Sequence, residues 1–198
     1  MKKTLRIMCA VIAVLMTMSA FVGCGQKADD YLGVMLGTNV MSLDTHLATD
    51  GDSFEVIADC IDGLMQMDAD GAAVPALAES YTVSDDGTVY TFTLRDAKWS
   101  NGTPVTANDF VAGFHHMLDT QAGLEWLIDG IIVGGTDYYA NGGAWEDVGY
   151  KAIDDHTLEI TLEKPTSYFM TMLTYSCFLP MCDQFFQANG GVYGGEEF

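Results

Sequence analysis

Two pairs of adjacent carboxylates stand out in this chain: Asp85-Asp86 within "SYTVSDDGTVYTFTLR", residues 80–95, and Asp154-Asp155 within "YKAIDDHTLEITL", residues 150–162. Paired carboxylates do two kinds of chemistry. They share a proton in acid–base work, or they clamp a cation. Both require side chains that converge. Neighbours on a tight turn diverge instead, and the flanks of each pair alternate between apolar and polar with period two, which predicts a β-hairpin about each pair. Gly87 supplies the positive φ that such a turn needs. His115 and His116 are also adjacent. On a helix they point about 100° apart, so they cannot chelate one ion, and they read as one surface and one partly packed histidine. No nucleophile elbow, HExxH or Cys/His set accompanies them, so neither a catalytic centre nor a metal is expected. Cys60 lies on an apolar helical face and reads as core. Cys177 and Cys182 allow a disulfide by spacing, but no bridge is assigned and no zinc spacing occurs.

The elements that position these groups follow from the same patterns. "YLGVML", residues 31–36, predicts a buried strand, and 37–52 a long polar loop. "SFEVIADCIDGLM" carries apolar residues at 54, 57, 58, 61, 64 and 65, a helical period with Ser53 as N-cap. Thr106 and Asp109 have the spacing of a capping box at the head of a helix whose apolar face is 107, 110, 111, 114, 117 and 118. Residues 123–143 predict a helix, a loop and a helical turn around Tyr138 and Tyr139. Pro165 predicts a helix start, continued by "SYFMTMLTY". "CDQFFQANG" predicts a short amphipathic helix near the C-terminus.

The 198 residues are 49% hydrophobic and 18% charged, which is the composition of a folded chain. Lys2, Lys3 and Arg6 precede the uncharged run 7–22, which is short for a membrane span and reads as a secretory signal. It ends in "FVGC", residues 21–24, which resembles the lipobox of bacterial lipoproteins, with Phe21 in place of the usual leucine. Cys24 would then carry lipid as the first mature residue. The other readings are a cut near Ala20 or an uncut anchor helix. Formal charge is −20, and loss of the three basic leader residues takes it to −23. So acidic a chain repels phosphate backbones, and nucleic acid is not an expected partner.

"LAESYTVSDDGTVYTFTLRDAKWSNGTPVTANDFV", residues 77–111, closely resembles the signature region of the family 5 extracellular solute-binding proteins of oligopeptide ABC importers. "SLDTHLATDG" (42–51), "YKAIDDHTLEITL" (150–162) and "KPTSYFMTML" (164–173) match in the same order. Thr45 stands where the family has proline, Tyr81 replaces tryptophan and Asn101 aspartate. The resemblance implies an α/β, periplasmic-binding-protein-like (type II) two-lobed fold, of which this sequence covers the N-terminal part of lobe I and the inserted accessory subdomain. It divides the chain into a signal peptide (1–23), the start of lobe I (24–61), the accessory subdomain (62–175) and a return to lobe I (176–198). The implied function is a substrate-binding lipoprotein that captures extended oligopeptides for an ABC permease and its ATPase. It would be a monomer, anchored outside the cytoplasm through Cys24, with no cofactor and no enzymatic activity. Thr49, Asp50, Gly51, Asp52 and Trp126 are the residues that the resemblance turns toward ligand. The family also implies other ligands: nickel chelates, haem or oligosaccharides. Other readings are a non-transport surface lipoprotein, such as a sensor or adhesin, and an acidic surface hydrolase.

Overall fold

A computed structural model describes residues 36–191. The predicted strand at 31–36, the signal segment and Cys24 lie outside the described residues, apart from Leu36. The two hairpins form as expected. β3 (Ala78–Val83) and β4 (Val89–Leu94) pair antiparallel about the first Asp-Asp turn, and β5 (Tyr150–Asp154) and β6 (Thr157–Thr161) about the second. They join through β4 and β6 into one four-stranded sheet of order β3-β4-β6-β5. Register puts Tyr90 opposite Ile160 and Phe92 opposite Leu158 on one face. Thr91, Thr93, Thr157 and Glu159 occupy the other, since alternate side chains leave a strand on opposite sides. A separate ribbon, β1 (Met65–Met67) with β2 (Ala73–Pro75), precedes the sheet.

The apolar face is covered by α2 (Ala107–Thr120). Phe110, Phe114, Met117 and Leu118 are buried, as the helical period predicts. Phe114 stacks on Tyr150 with ring centroids 4.3 Å apart and lies 6.0 Å from Phe178. Tyr90 meets Phe169 at 4.8 Å. Offset aromatic contacts of this kind add to the burial of large rings. The capping box between Thr106 and Asp109 starts α2. After α2 come a 3₁₀ turn (Glu125–Ile128), α3 (Gly135–Asn141), which holds Tyr138 and Tyr139, and a second 3₁₀ turn (Trp145–Asp147). α4 (Phe169–Met172), a third 3₁₀ turn (Ser176–Phe178) and α5 (Asp183–Ala188) complete the described elements.

Several local expectations are corrected. α1 runs Gly51–Cys60 with Asp50 as N-cap, where Ser53 was expected. Ser53 instead turns its hydroxyl to the backbone of Met41 and Ser42. The helix stops at Cys60 because Ile61 is extended, so Leu64 leads into β1 and Met65 opens it. Cys60 is exposed rather than core, for it is the last residue of α1, where the chain turns away at Ile61 and leaves it uncovered. Cys177 and Cys182 are buried free thiols. Pro165 precedes its helix by four residues, and that helix is a single turn.

Candidate functional site

The Asp85-Asp86-Gly87 pair is a turn. Gly87 has φ 73°. The Asp86 carboxylate accepts from the Ser84 hydroxyl (2.5 Å), the Thr88 hydroxyl (2.8 Å) and the Thr88 N–H (3.1 Å), and these bonds hold it below the usual carboxylate range. Asp154 does the same for the second turn, accepting from the His156 N–H (2.8 Å) and the Thr157 hydroxyl (3.0 Å). Neither pair converges on a shared proton or ion.

The two adjacent histidines diverge as helix geometry requires. His115 stacks on Trp145 at 4.1 Å and donates from Nε2 to the Tyr138 oxygen (2.7 Å), while the Tyr138 hydroxyl donates to Asp119 (2.6 Å). His116 is more enclosed, 12% exposed, and donates from Nε2 to Asp44 Oδ2 at 3.1 Å. Among the described residues no group of three His, Cys, Asp or Glu is arranged to hold a metal.

Residues 37–52 form the segment that carries four of the five candidate ligand contacts, and besides the Ser53 hydroxyl on Met41 and Ser42 it is fixed at three points. Asp52 accepts from the Gly37 N–H (3.0 Å), the Thr38 N–H (2.8 Å) and the Thr38 hydroxyl. Asp50 caps α1 by accepting from the Ser53 N–H at 2.9 Å. Hydrogen bonds to the charged form lower both carboxyls: Asp52 chiefly through the Thr38 hydroxyl, Asp50 chiefly through the Ser53 N–H. The third point is buried. Asp44, Thr45 and His46 are all enclosed. Asp44 Oδ1 accepts from the His46 N–H at 2.9 Å. His46 Nε2 lies 3.1 Å from the Leu179 carbonyl oxygen, which can only accept, so Nε2 carries the proton. Nδ1 then accepts from the Thr45 hydroxyl at 2.8 Å. Burial pushes the His46 imidazole down to about 4, against the pull of Asp44.

The structure therefore gathers Thr49, Asp50, Gly51 and Asp52 into one helix start, with Thr49 and Gly51 exposed. Trp126 sits on the first 3₁₀ turn with its side chain 62% exposed, above the buried Ile128. No hydrogen bond or ring contact among the described residues joins it to Thr49–Asp52. The buried Asp44–His46–His116 cluster was not predicted as a unit. Its only sequence signal is an Asp and a His two residues apart in a polar loop. A cavity of about 520 Å³ opens at the other end of α1, lined by Asp62, Arg95, Lys98, Trp99, Cys182 and Phe185 among others, and includes none of the five candidates.

Comparison with known proteins gives a consistent picture. A family model described as bacterial extracellular solute-binding proteins, family 5 middle, matches residues 72–189. The dipeptide-binding protein of Lactococcus lactis subsp. cremoris is 36% identical over 177 residues, 87% of this chain and 32% of that protein. The periplasmic oligopeptide-binding protein OppA of Escherichia coli is 40% identical over 149 residues, 73% of this chain and 27% of that protein. This chain thus spans about a third or less of the length of the curated relatives it matches. Among solved structures, Listeria monocytogenes OppA bound to peptide superposes with a TM-score of 0.73 at 40% identity, over 77% of this chain and 31% of that one. The substrate-binding domain of an oligopeptide ABC transporter from Bacillus anthracis gives a TM-score of 0.76 at 34% identity, over 81% and 32%.

Proposed function

The chain belongs to the bacterial extracellular solute-binding proteins of family 5 and carries part of their type II periplasmic-binding α/β fold; from that premise we propose that it serves the capture of extended peptides for an ABC importer. The observation that carries this reading is its identity of 36–40% to proteins named for dipeptide and oligopeptide binding, one of whose kind was solved with peptide bound. Residues 24–61 begin one lobe, 62–175 form the accessory subdomain and 176–198 return toward the first lobe. Thr49, Asp50, Gly51 and Asp52 face the peptide from one side, and Trp126 offers it an aromatic surface. Peptide main chain is held by strand-like hydrogen bonds, and side chains by wet pockets that tolerate sequence. The permease and its ATPase receive the ligand. No bond is made or broken. Cys24 carries the lipid that keeps the protein at the outer face of the membrane.

A short peptide bearing a photoreactive benzoylphenylalanine tests the site. Irradiated with the 198-residue chain, it should label Thr49–Asp52 or Trp126 or their immediate neighbours, located by fragmentation mass spectrometry of chymotryptic peptides, and an unlabelled tripeptide should compete. Saturable labelling elsewhere would refute the assignment. Affinity should be weaker than micromolar by titration calorimetry, because one wall leaves half of an extended peptide in water and the cost of ordering it uncompensated. Cys24→Ser tests the anchor: the variant should leave the membrane fraction on a carbonate wash.

A further inference from the structure

The segment that presents Thr49–Asp52 is not held by a broad apolar contact. Only Ala48 and Ile57, with Leu179, make a small buried cluster beneath it. Met41, Leu43 and Leu47 on the same stretch are exposed. What fixes it in depth is the polar cluster at its centre. Asp44 is enclosed and receives His46 from its own loop and His116 from α2. His46 reaches across to the Leu179 carbonyl. Three separate stretches of chain meet there. His46 packs close against Gly113 of α2: a Cβ at that position would stand 2.6 Å from its Nε2 and 2.8 Å from the Leu179 carbonyl oxygen. The His46 and His116 rings meet edge to face at 5.8 Å.

We propose that His46 and His116 are positioning residues that latch the 42–52 segment onto α2 and the 176–182 stretch through Asp44, and that acid opens this latch. The proposal takes from the preceding reading only that Thr49–Asp52 face the ligand. The chemistry is one of proton count. Docked, His46 uses Nδ1 as an acceptor for Thr45, so protonation must break that bond. It also puts a charge on a ring that lies 5.8 Å from the His116 ring in an enclosed space. The titratable groups that face His46 are Asp44 from its own loop and His116 from α2; the 176–182 stretch contributes only the Leu179 carbonyl. Burial holds the docked imidazole down to about 4, against an ordinary 6.5. A group depressed in the docked state takes up its proton on release. Docking is therefore complete above about 6.5 and weakens as pH falls from there toward 4. Between pH 7 and pH 5 the opening equilibrium should rise about 20-fold.

Amide hydrogen exchange on the 198-residue chain, corrected for intrinsic rates, measures this opening without any ligand. The His46 and Ala48 amides are the reporters, since they donate to Asp44 within the docked loop. Their protection should drop about 20-fold from pH 7 to pH 5, and at both it should stay below that of the β4 and β6 amides, which open only with the whole fold. His46→Gln keeps a neutral donor toward Leu179 and should flatten that pH dependence. His116→Arg keeps an N–H donor on Asp44 and should leave protection at pH 7 intact, whereas His116→Ala should lose it. Loop amides as strongly protected as those of β4 and β6, or an unchanged slope in His46→Gln, would overturn the latch. The photoreactive peptide then separates the two readings. Labelling that falls in step with loop opening supports both. Opening with unchanged labelling at Thr49–Asp52 leaves the latch standing and removes its positioning role.

Discussion

Asp109 is the carboxylate whose replacement should cost this fold most for its size. It caps α2, but it also reaches beyond the helix. Oδ2 accepts from the Thr106 N–H (2.8 Å), the Thr106 hydroxyl (3.3 Å) and the Trp99 indole N–H (3.2 Å), while Oδ1 accepts from the Asp183 N–H (3.1 Å) at the start of α5. Its side chain thereby ties the 97–106 loop and the start of α5 to the head of α2. Asp109→Ala removes a cap worth about 1 kcal/mol. It also strips a charged acceptor from Trp99 and from Asp183. Hydrogen bonds to charged groups contribute about 1.5–3 kcal/mol each, and because both donors are half-buried and regain some water, the low end applies. The total is about 4 kcal/mol, a large share of the 5–15 kcal/mol that holds a typical domain together. Asp109→Asn retains one carbonyl oxygen, which can satisfy Trp99 and Thr106 or Asp183 but not both, so it should cost about half as much. With a urea m-value of about 2 kcal/mol/M, the unfolding midpoint should fall by about 2 M for alanine and about 1 M for asparagine, with m unchanged. A midpoint shift under about 0.5 M for Asp109→Ala, or none for Asp109→Asn, would refute the claim that this carboxylate bridges three elements.

At the first hairpin turn, Asp85→Asn should change stability by no more than about 0.5 kcal/mol, while Asp86→Ala, which removes the acceptor for Ser84 and Thr88, should lower the midpoint more than Asp85→Asn in the same titration. Gly87→Val should cost more than either, because its φ of 73° disfavours a β-branched residue and its Cβ would stand 3.4 Å from Pro165. Gly113→Ala should destabilise by about 2 kcal/mol or more and open the 42–52 segment to protease, since the added methyl must displace His46 or Leu179. In maleimide labelling read by peptide mapping, Cys60 should react in the native chain. Cys177 should react only after unfolding, because burial encloses it and pushes its thiol up to about 12; the enclosed Cys182 should likewise wait. Native labelling of Cys177 would contradict the packing around Phe114 and Phe178.

The hairpins, the Thr106–Asp109 cap and the buried face of α2 were legible in the sequence because each is decided within a few residues. A period-two flank and an Asp-Gly turn specify a hairpin whatever lies further off. Where the sequence misled, a local pattern outran its cause. Ile57, Ile61, Leu64 and Met65 keep a helical spacing after the helix has ended, since the chain leaves α1 at Ile61 and passes Gly63 close under Leu179, where a Cβ would stand 3.0 Å from the leucine Cδ2. The Asp44 cluster was illegible for the opposite reason. Its partners His116 and Leu179 lie 72 and 133 residues from the side chains they bond, and nothing in a local window couples them. The candidate site shows the same division. Resemblance directed attention to Thr49–Asp52, but the carboxylates of Asp50 and Asp52 are already occupied, one in starting α1 and the other in holding Gly37 and Thr38. That changes what a substitution there reports. Asp52→Asn removes a charged acceptor from the 37–38 chain, so any loss of peptide labelling in that variant mixes direct contact with loosening of the segment. Among the described residues the Thr49 side chain makes no such bond, and Gly51 has no side chain to make one, so Thr49→Ala isolates the contact, and it is there that the ligand reading should be tested first.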